Sequence, residues 1–295
     1  MKLSAMFFAI VLSLTGWTTG VRADGDPKIT TEHDLVYTKA GDTELKLDMA
    51  RPAEGDGPFP GVLVIHGGGW RGGNKADVRP ILDEFAKRGY VAISPQYRFC
   101  PKDLFPAQVH DVKAAVRWLK SRAKDYKVDA GHIGAVGFSA GAHLSMMLGV
   151  TSAADGLEGE AAAAADAPDT KIQAVVNYFG PTDLAAADIP EVTKPLVNAF
   201  LGGDSKEKAK EYAQASPLTF VTKDDAPILS FQGTKDPLVP HTQATKLADA
   251  QTAAGVPGRI ELLVGAGHGW GGDDIKHTMS ETFLFFDKFL KTPKP

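Results

Sequence analysis

The sequence predicts an α/β fold, with a mostly parallel sheet of about eight strands and helices on both faces. Three observations carry this. Short apolar, β-branched runs recur along the chain, and segments of helical pattern separate them. Strands joined through helices form parallel sheets covered on both sides. The 295 residues, 43% hydrophobic and 23% charged, are enough for one large α/β domain of ordinary globular composition.

The elements follow in chain order. Two alternating segments, residues 33–38 and 43–49, are joined by Ala40-Gly41-Asp42 and read as an antiparallel hairpin. Residues 61–65 (GVLVI) form a buried strand. Residues 76–88 form an amphipathic helix ending at Gly89, and residues 90–94 the next strand. Residues 107–123 read as a long helix with Val109, Val112, Val116 and Leu119 on one stripe; Trp118 is expected to pack in the core. Residues 132–136 (HIGAV) are a short strand, and residues 140–150 (AGAHLSMMLGV) a helix. Strands at 172–178, 228–231 and 259–264, with helices at 241–254 and 277–290, complete the pattern.

Two stretches break the alternation. Residues 156–170 (GLEGEAAAAADAPDT) read as an exposed, flexible acidic insertion. Residues 181–225 hold short, Pro-interrupted helical pieces and read as a small cap-like insertion at the carboxyl edge of the sheet.

The N-terminus is a separate object. Lys2 precedes a ten-residue apolar run at 5–14, and Val21-Arg22-Ala23 suits signal-peptidase cleavage after Ala23. Residues 1–23 are therefore expected to be a signal peptide and residues 24–295 the catalytic domain, periplasmic or secreted. The apolar run is too short to span a bilayer. A net charge of −4 without a basic block gives no sign of a nucleic-acid partner or an anionic membrane. Cys100 is the only cysteine, so no intrachain disulfide forms.

Gly137-Phe138-Ser139-Ala140-Gly141 stands between the strand at 132–136 and the helix at 140–150. A serine on a sharp strand-to-helix turn is lifted clear of the sheet, with the positive end of the helix pointed at it. Ser139 is thus a candidate nucleophile. His66-Gly67-Gly68-Gly69-Trp70 directly follows the strand at 61–65. Consecutive glycines let backbone N–H groups turn toward a ligand. The expected oxyanion donors are Gly68, Gly69 and Ala140, with Gly67 as the alternative if the loop is rotated by one residue. A phosphate loop is disfavoured because no Gly-Lys-Ser/Thr follows.

Asp236 lies just past the strand at 228–231, where catalytic groups collect in open α/β sheets. His268, in Gly265-Ala266-Gly267-His268-Gly269-Trp270, follows the last strand. Of eight histidines it alone combines that position with a glycine-rich setting; His66 is expected to brace the glycine loop, and His143 to pack inside. The order Ser139, Asp236, His268 matches a nucleophile, its orienting acid and its base. Asp273, Asp274 and His277 read as a loop leading into a helix cap rather than a metal site. Trp70, Phe138, Tyr178, Phe179 and Trp270 adjoin these groups in sequence, and Trp70 and Trp270 are the candidate substrate contacts.

Taken together, the chain resembles the α/β-hydrolase superfamily, and within it esterases of the hormone-sensitive-lipase type. It looks most like the bifunctional acetylxylan esterase/feruloyl esterase-like group. Residues 137–141 and 66–70 carry the resemblance, supported by Tyr97-Arg98, Phe105-Pro106-Ala107-Gln108, the stretch 111–119 and Ser139-Ala140-Gly141-Ala142-His143-Leu144. It covers roughly residues 33–291. Ala142 departs from the second glycine such esterases often carry, which touches no catalytic group. The resemblance implies hydrolysis of acetyl- or feruloyl-type esters, on small molecules or polysaccharides, without cofactor or metal. A lipase would want a strongly apolar lid, and a prolyl-peptidase type a large extra domain. An arylformamidase type shares the His-Gly-Gly-x-Trp loop but fits an exported protein poorly. A binding protein on the same fold would be signalled by a missing triad member, and none is missing.

Overall fold

The computed structural model describes residues 25–162 and 166–291; the expected signal peptide lies outside them. Eight strands form one sheet: β1 (Ile29–Ala40), β2 (Thr43–Pro52), β3 (Phe59–Ile65), β4 (Val91–Pro95), β5 (Val128–Phe138), β6 (Ala174–Tyr178), β7 (Ile228–Gly233) and β8 (Gly258–Leu263). Their spatial order is β1-β2-β4-β3-β5-β6-β7-β8. β1 and β2 form the antiparallel hairpin, β2 meets β4 antiparallel, and every later pairing is parallel.

The helices are α1 (Arg79–Lys87), α2 (Ala107–Ser121), α3 (Ala123–Tyr126), α4 (Ala140–Val150), α5 (Lys194–Leu201), α6 (Ala209–Gln214), α7 (Thr242–Ala254) and α8 (Gly272–Leu290). Successive strand residues face opposite layers, as the two-residue period requires. Leu63 and Ile65 of β3 join a core with α2, α4 and α5, including the predicted stripe Val109, Val112, Val116 and Leu119. Val62 and Val64 join a second core with α1 and α8, through Phe85, Phe283 and Phe286. Each sheet face is closed by its own helices, which is why the central strands read as unbroken apolar runs.

Several elements differ from the sequence reading. The helix expected at 76–88 is a 3₁₀ turn, Lys75–Val78, followed by α1, whose Pro80 suits only a helix's first turn. β5 is longer than its apolar stretch, because residues 130–132 bulge between the pairs Pro60↔Asp129 and Gly61↔Ile133. α8 begins at Gly272 rather than near His277. Asp273 and Asp274 lie in its first turn, where carboxylates complement the helix dipole.

Among its described residues, the acidic segment at 156–170 is anchored near both ends. Leu157 is buried, and the Glu158 carboxylate meets Lys113 (2.6 Å), Arg117 and the Thr170 hydroxyl. The Lys113 side chain is wholly inaccessible. Composition shows the alanines and acids of this stretch but not a cation on a distant helix. Glu158→Ala would leave that ammonium buried without its partner. It is expected to lower the unfolding free energy by about 3–5 kcal/mol, read by urea denaturation at pH 7. A loss under about 1 kcal/mol would mean the pair is worth no more than a surface one.

The topology positions the site. From β3 the chain moves to β4 on one side, then returns to place β5 on the other, so β3 and β5 are neighbours with a switch in direction between them. Ile65 of β3 pairs with Gly137 of β5. Register alone therefore sets residues 66–70 beside residues 138–139, in the crevice where ligands bind in open α/β sheets.

Candidate active site

Ser139 stands between β5 and α4 with φ 54° and ψ −120°. This left-handed backbone is rare outside glycine and costs on the order of 1–3 kcal/mol. Contacts on both sides hold it: the Ser139 amide donates to Tyr178 O (2.9 Å), and Ser139 O accepts from the His143 amide (3.0 Å). The turn is tight enough that a Cβ at Gly137 would strike the Gly141 carbonyl, and one at Gly141 would strike Ile65 O. Small residues at both positions are a steric requirement.

Ser139 Oγ lies 2.8 Å from His268 Nε2, and His268 Nδ1 lies 2.7 Å from Asp236 Oδ2. The Asp236 and His268 side chains are almost wholly shielded from solvent. Asp236 accepts more than the imidazole. Its Oδ1 takes the amides of Leu238 (2.8 Å) and Val239 (2.9 Å), and its Oδ2 also takes Gln232 Nε2 (3.0 Å). A buried carboxylate needs such donors in place of the water it has lost. With the carboxylate accepting at Nδ1–H, Nε2 presents its lone pair to the Ser139 hydroxyl. The three side chains lie in line, in the arrangement that a nucleophile, a base and an orienting acid would take.

The glycine loop runs alongside. A Cβ at Gly67 would meet Phe138 O at 2.8 Å and Ser139 Cβ at 3.3 Å, so the loop can come this close only without a side chain. Gly68, Gly69 and Trp70 have φ of 121°, 59° and 57°. Among the described residues, the amides of Gly67, Gly68, Gly69 and Ala140 donate to no protein group. They are the free donors a developing oxyanion would use. His66 lies beneath the loop. Its Nδ1 is 2.8 Å from Gly67 O and its ring is stacked on Tyr97 at 4.5 Å.

Residues 181–225 reach both sides of this crevice. Thr193 Oγ1 donates to Leu238 O (2.7 Å), next to the Asp236 loop. Leu196 of α5 lies over Gly69, its methyl carbon 3.5 Å from where a Cβ would be.

The aromatic residues correct one expectation. Trp70 offers no open platform. It is 3% exposed, and its indole stacks on Phe200 (4.4 Å) and donates to His143 Nδ1 (3.2 Å). Its left-handed backbone turns the ring inward. Phe138, Tyr178 and Phe179 are likewise buried. Trp270 is half-buried, packed on Phe179 (5.2 Å), with its N–H donated to Thr278. Cys100 is buried, which pushes its thiol up to about 11, far from a reactive thiolate.

Two contributors were not singled out for these roles in the sequence. Phe179 packs its ring edge against His268 at 4.7 Å. Gln232 ties Asp236 to Val239 O (2.9 Å). The available signal was a glutamine near the end of a mostly apolar strand. Among the described residues, no group of three or more His, Cys, Asp or Glu side chains is placed to hold a metal ion. No helix among them is long and apolar enough to cross a membrane.

An eight-stranded, mostly parallel sheet with a serine on the β5–α4 turn defines an α/β-hydrolase. The chain belongs to the BD-FAE family, whose sequence model matches residues 47–250. It is 28% identical to the esterase LipQ of Mycobacterium tuberculosis, over 75% of this chain and 53% of that one. The chain spans about half the length of the curated relatives it matches. Among solved structures it is similar to a truncated carbohydrate esterase from gut microbiota, with TM-score 0.75, 27% identity, and coverage of 90% of this chain and 98% of that one. It is also similar to the thermophilic esterase Est2 of Thermogutta terrifontis with propionate bound, with TM-score 0.72, 26% identity and coverage of 92% and 97%. The expected kinship with hormone-sensitive-lipase-type esterases is thus borne out at the level of family and fold.

Proposed function

We propose that the protein is a serine-dependent carboxylic ester hydrolase, exported through the leader at residues 1–23, that acts on short-chain or carbohydrate-linked esters of the acetyl or feruloyl type. One observation carries the reading: Ser139, His268 and Asp236 are linked by hydrogen bonds of 2.8 and 2.7 Å on a strained strand-to-helix turn. The names of the relatives support the ester class. The carbohydrate esterase and the propionate-bound neighbour support a short acyl group on a sugar or small alcohol.

The chemistry follows from the geometry. Ser139 Oγ attacks the ester carbonyl carbon as its proton passes to His268 Nε2. Asp236 stabilises the imidazolium through Nδ1–H and holds the ring in place. The carbonyl oxygen, now negative, is held by the N–H groups of Gly68, Gly69 and Ala140, each worth about 3–4 kcal/mol in the transition state. The C–O bond to the alcohol breaks, and the alcohol leaves with the proton from His268. Water then attacks the acyl-Ser139 carbonyl, giving its proton to His268. Collapse breaks the bond to Ser139 Oγ, which takes the proton back from His268, and the acid is released.

The test is a comparison of kcat/KM across p-nitrophenyl acetate, butyrate, octanoate and palmitate, with acetylated xylan and methyl ferulate alongside. Acetate and butyrate are expected to lead the synthetic series, and acetylated xylan or methyl ferulate to be turned over. A maximum at octanoate or palmitate, with neither natural-type substrate cleaved, would overturn the substrate class.

A further inference from the structure

We propose that His143 is a positioning residue that sets the spacing between the two halves of the oxyanion site. It does so by clamping the Trp70 end of the glycine loop to the first turn of α4, with residues 181–225 as a third anchor. The proposal rests on the acyl-transfer reading above and deepens it.

The oxyanion donors come from two bodies. Ala140 N–H moves with α4, whereas Gly68 and Gly69 N–H move with the loop between β3 and the 3₁₀ turn at Lys75. A loop of consecutive glycines has little stiffness of its own. Its far end is Trp70, and Trp70 stands in a left-handed backbone that a bulky aromatic residue keeps only under tertiary constraint. The constraint is visible. The indole stacks on Phe200 of α5, meets the His143 ring edge-on at 5.2 Å and donates to His143 Nδ1 at 3.2 Å.

His143 is wholly buried, and its own amide donates to Ser139 O. The other ring nitrogen, Nε2, lies 2.6 Å from Ala215 O, which follows α6. An indole N–H only donates and a carbonyl only accepts. The two partners therefore demand a single neutral tautomer, with Nδ1 bare and Nε2 protonated. Burial, which pushes the imidazole down to about 4, keeps that form at neutral pH, and no charged side chain opposes or supports the shift. One ring thus joins the glycine loop, the nucleophile's helix and the insertion, and every polar atom it carries is used. A role in filling the core alone would need neither hydrogen bond.

Misplacing a donor raises the transition state more than it weakens substrate binding, because the oxyanion exists only after attack. The effect should therefore fall on kcat. The experiment measures kcat and KM for p-nitrophenyl acetate in the wild type, His143→Gln, His143→Asn, Trp70→Phe and the His143→Gln/Trp70→Phe double variant, with thermal melting beside each. Trp70→Phe keeps an aromatic ring on Phe200 and deletes only the donor. His143→Asn keeps an acceptor where Nδ1 lies, and His143→Gln does not.

His143→Gln and Trp70→Phe are each expected to lower kcat about 10- to 100-fold with KM within about twofold. The double variant is expected to be no worse than the weaker single one, because both break the same link. His143→Asn should retain more kcat than His143→Gln. Wild-type kcat in His143→Gln and Trp70→Phe, with only the melting temperature lowered, would overturn the proposal. So would losses that multiply in the double variant. Failure of the wild type to hydrolyse the ester would instead remove the underlying hydrolase reading, and the proposal with it.

Discussion

Ser139→Ala is expected to abolish turnover of p-nitrophenyl acetate, lowering kcat by about 10⁴- to 10⁶-fold. The substitution deletes the hydroxyl proposed to attack and leaves the surrounding geometry in place. Alanine keeps the Cβ, so the left-handed backbone at this position is no more strained than with serine. The amide still donates to Tyr178 O, and the carbonyl still accepts from His143. Melting temperature should stay near that of the wild type, and binding of a product carboxylate should survive. Burst kinetics under excess substrate would show an acyl-enzyme in the wild type and none in the variant. Retention of more than a few per cent of kcat would assign the nucleophile elsewhere.

Asp236→Asn is expected to lower kcat by about 10⁴-fold while leaving the fold intact. The hydrogen bonds explain why so small a change should cost so much. Oδ1 accepts two backbone amides, from Leu238 and Val239. An asparagine must keep its carbonyl oxygen there, because turning the NH₂ group toward those donors would set N–H against N–H. The NH₂ then takes the place of Oδ2, facing His268 Nδ1. The imidazole can answer only by accepting at Nδ1 and carrying its proton on Nε2, which faces Ser139. A protonated Nε2 cannot take the serine proton, so the base is lost through its tautomer. The turn keeps its two amide contacts, so unfolding by urea should change little. The Gln232 Nε2–H₂ group would lose the Asp236 acceptor but keep Val239 O, and Gln232→Glu in the variant background should not restore activity. A fall in kcat of less than about tenfold would mean that the acid does not set the tautomer.

Much of the fold was legible in the chain because its signals are local. The alternation of apolar β-branched runs with helical stretches, the turn at Ala40-Gly41-Asp42 and the stripe on α2 are each written within a dozen residues. The two glycine-containing turns, at 66–70 and 137–141, were legible for a further reason: approach of one backbone to another leaves no room for a side chain. Asp236 and His268 were found by position, since they follow the ends of β7 and β8 by three and five residues. Other features had no local signal. The bulge in β5 arises from pairing with β3. The anchoring of Glu158 depends on Lys113, 45 residues away. The inward turn of Trp70 depends on Phe200 and His143.

The sequence by itself determined which kinds of group stand at the ends of the strands, and in what order. Strand and helix periods, glycine sterics and turn chemistry act over a few residues and need no partner. Only the tertiary structure decided what each group touches: Ser139 reaches His268 across 129 residues, Gln232 shares the carboxylate of Asp236, and Trp70 serves as a core wedge instead of a surface platform. Burial and hydrogen-bond pairing are set by neighbours brought together from distant parts of the chain, so they exist only once the sheet is assembled and both of its faces are closed.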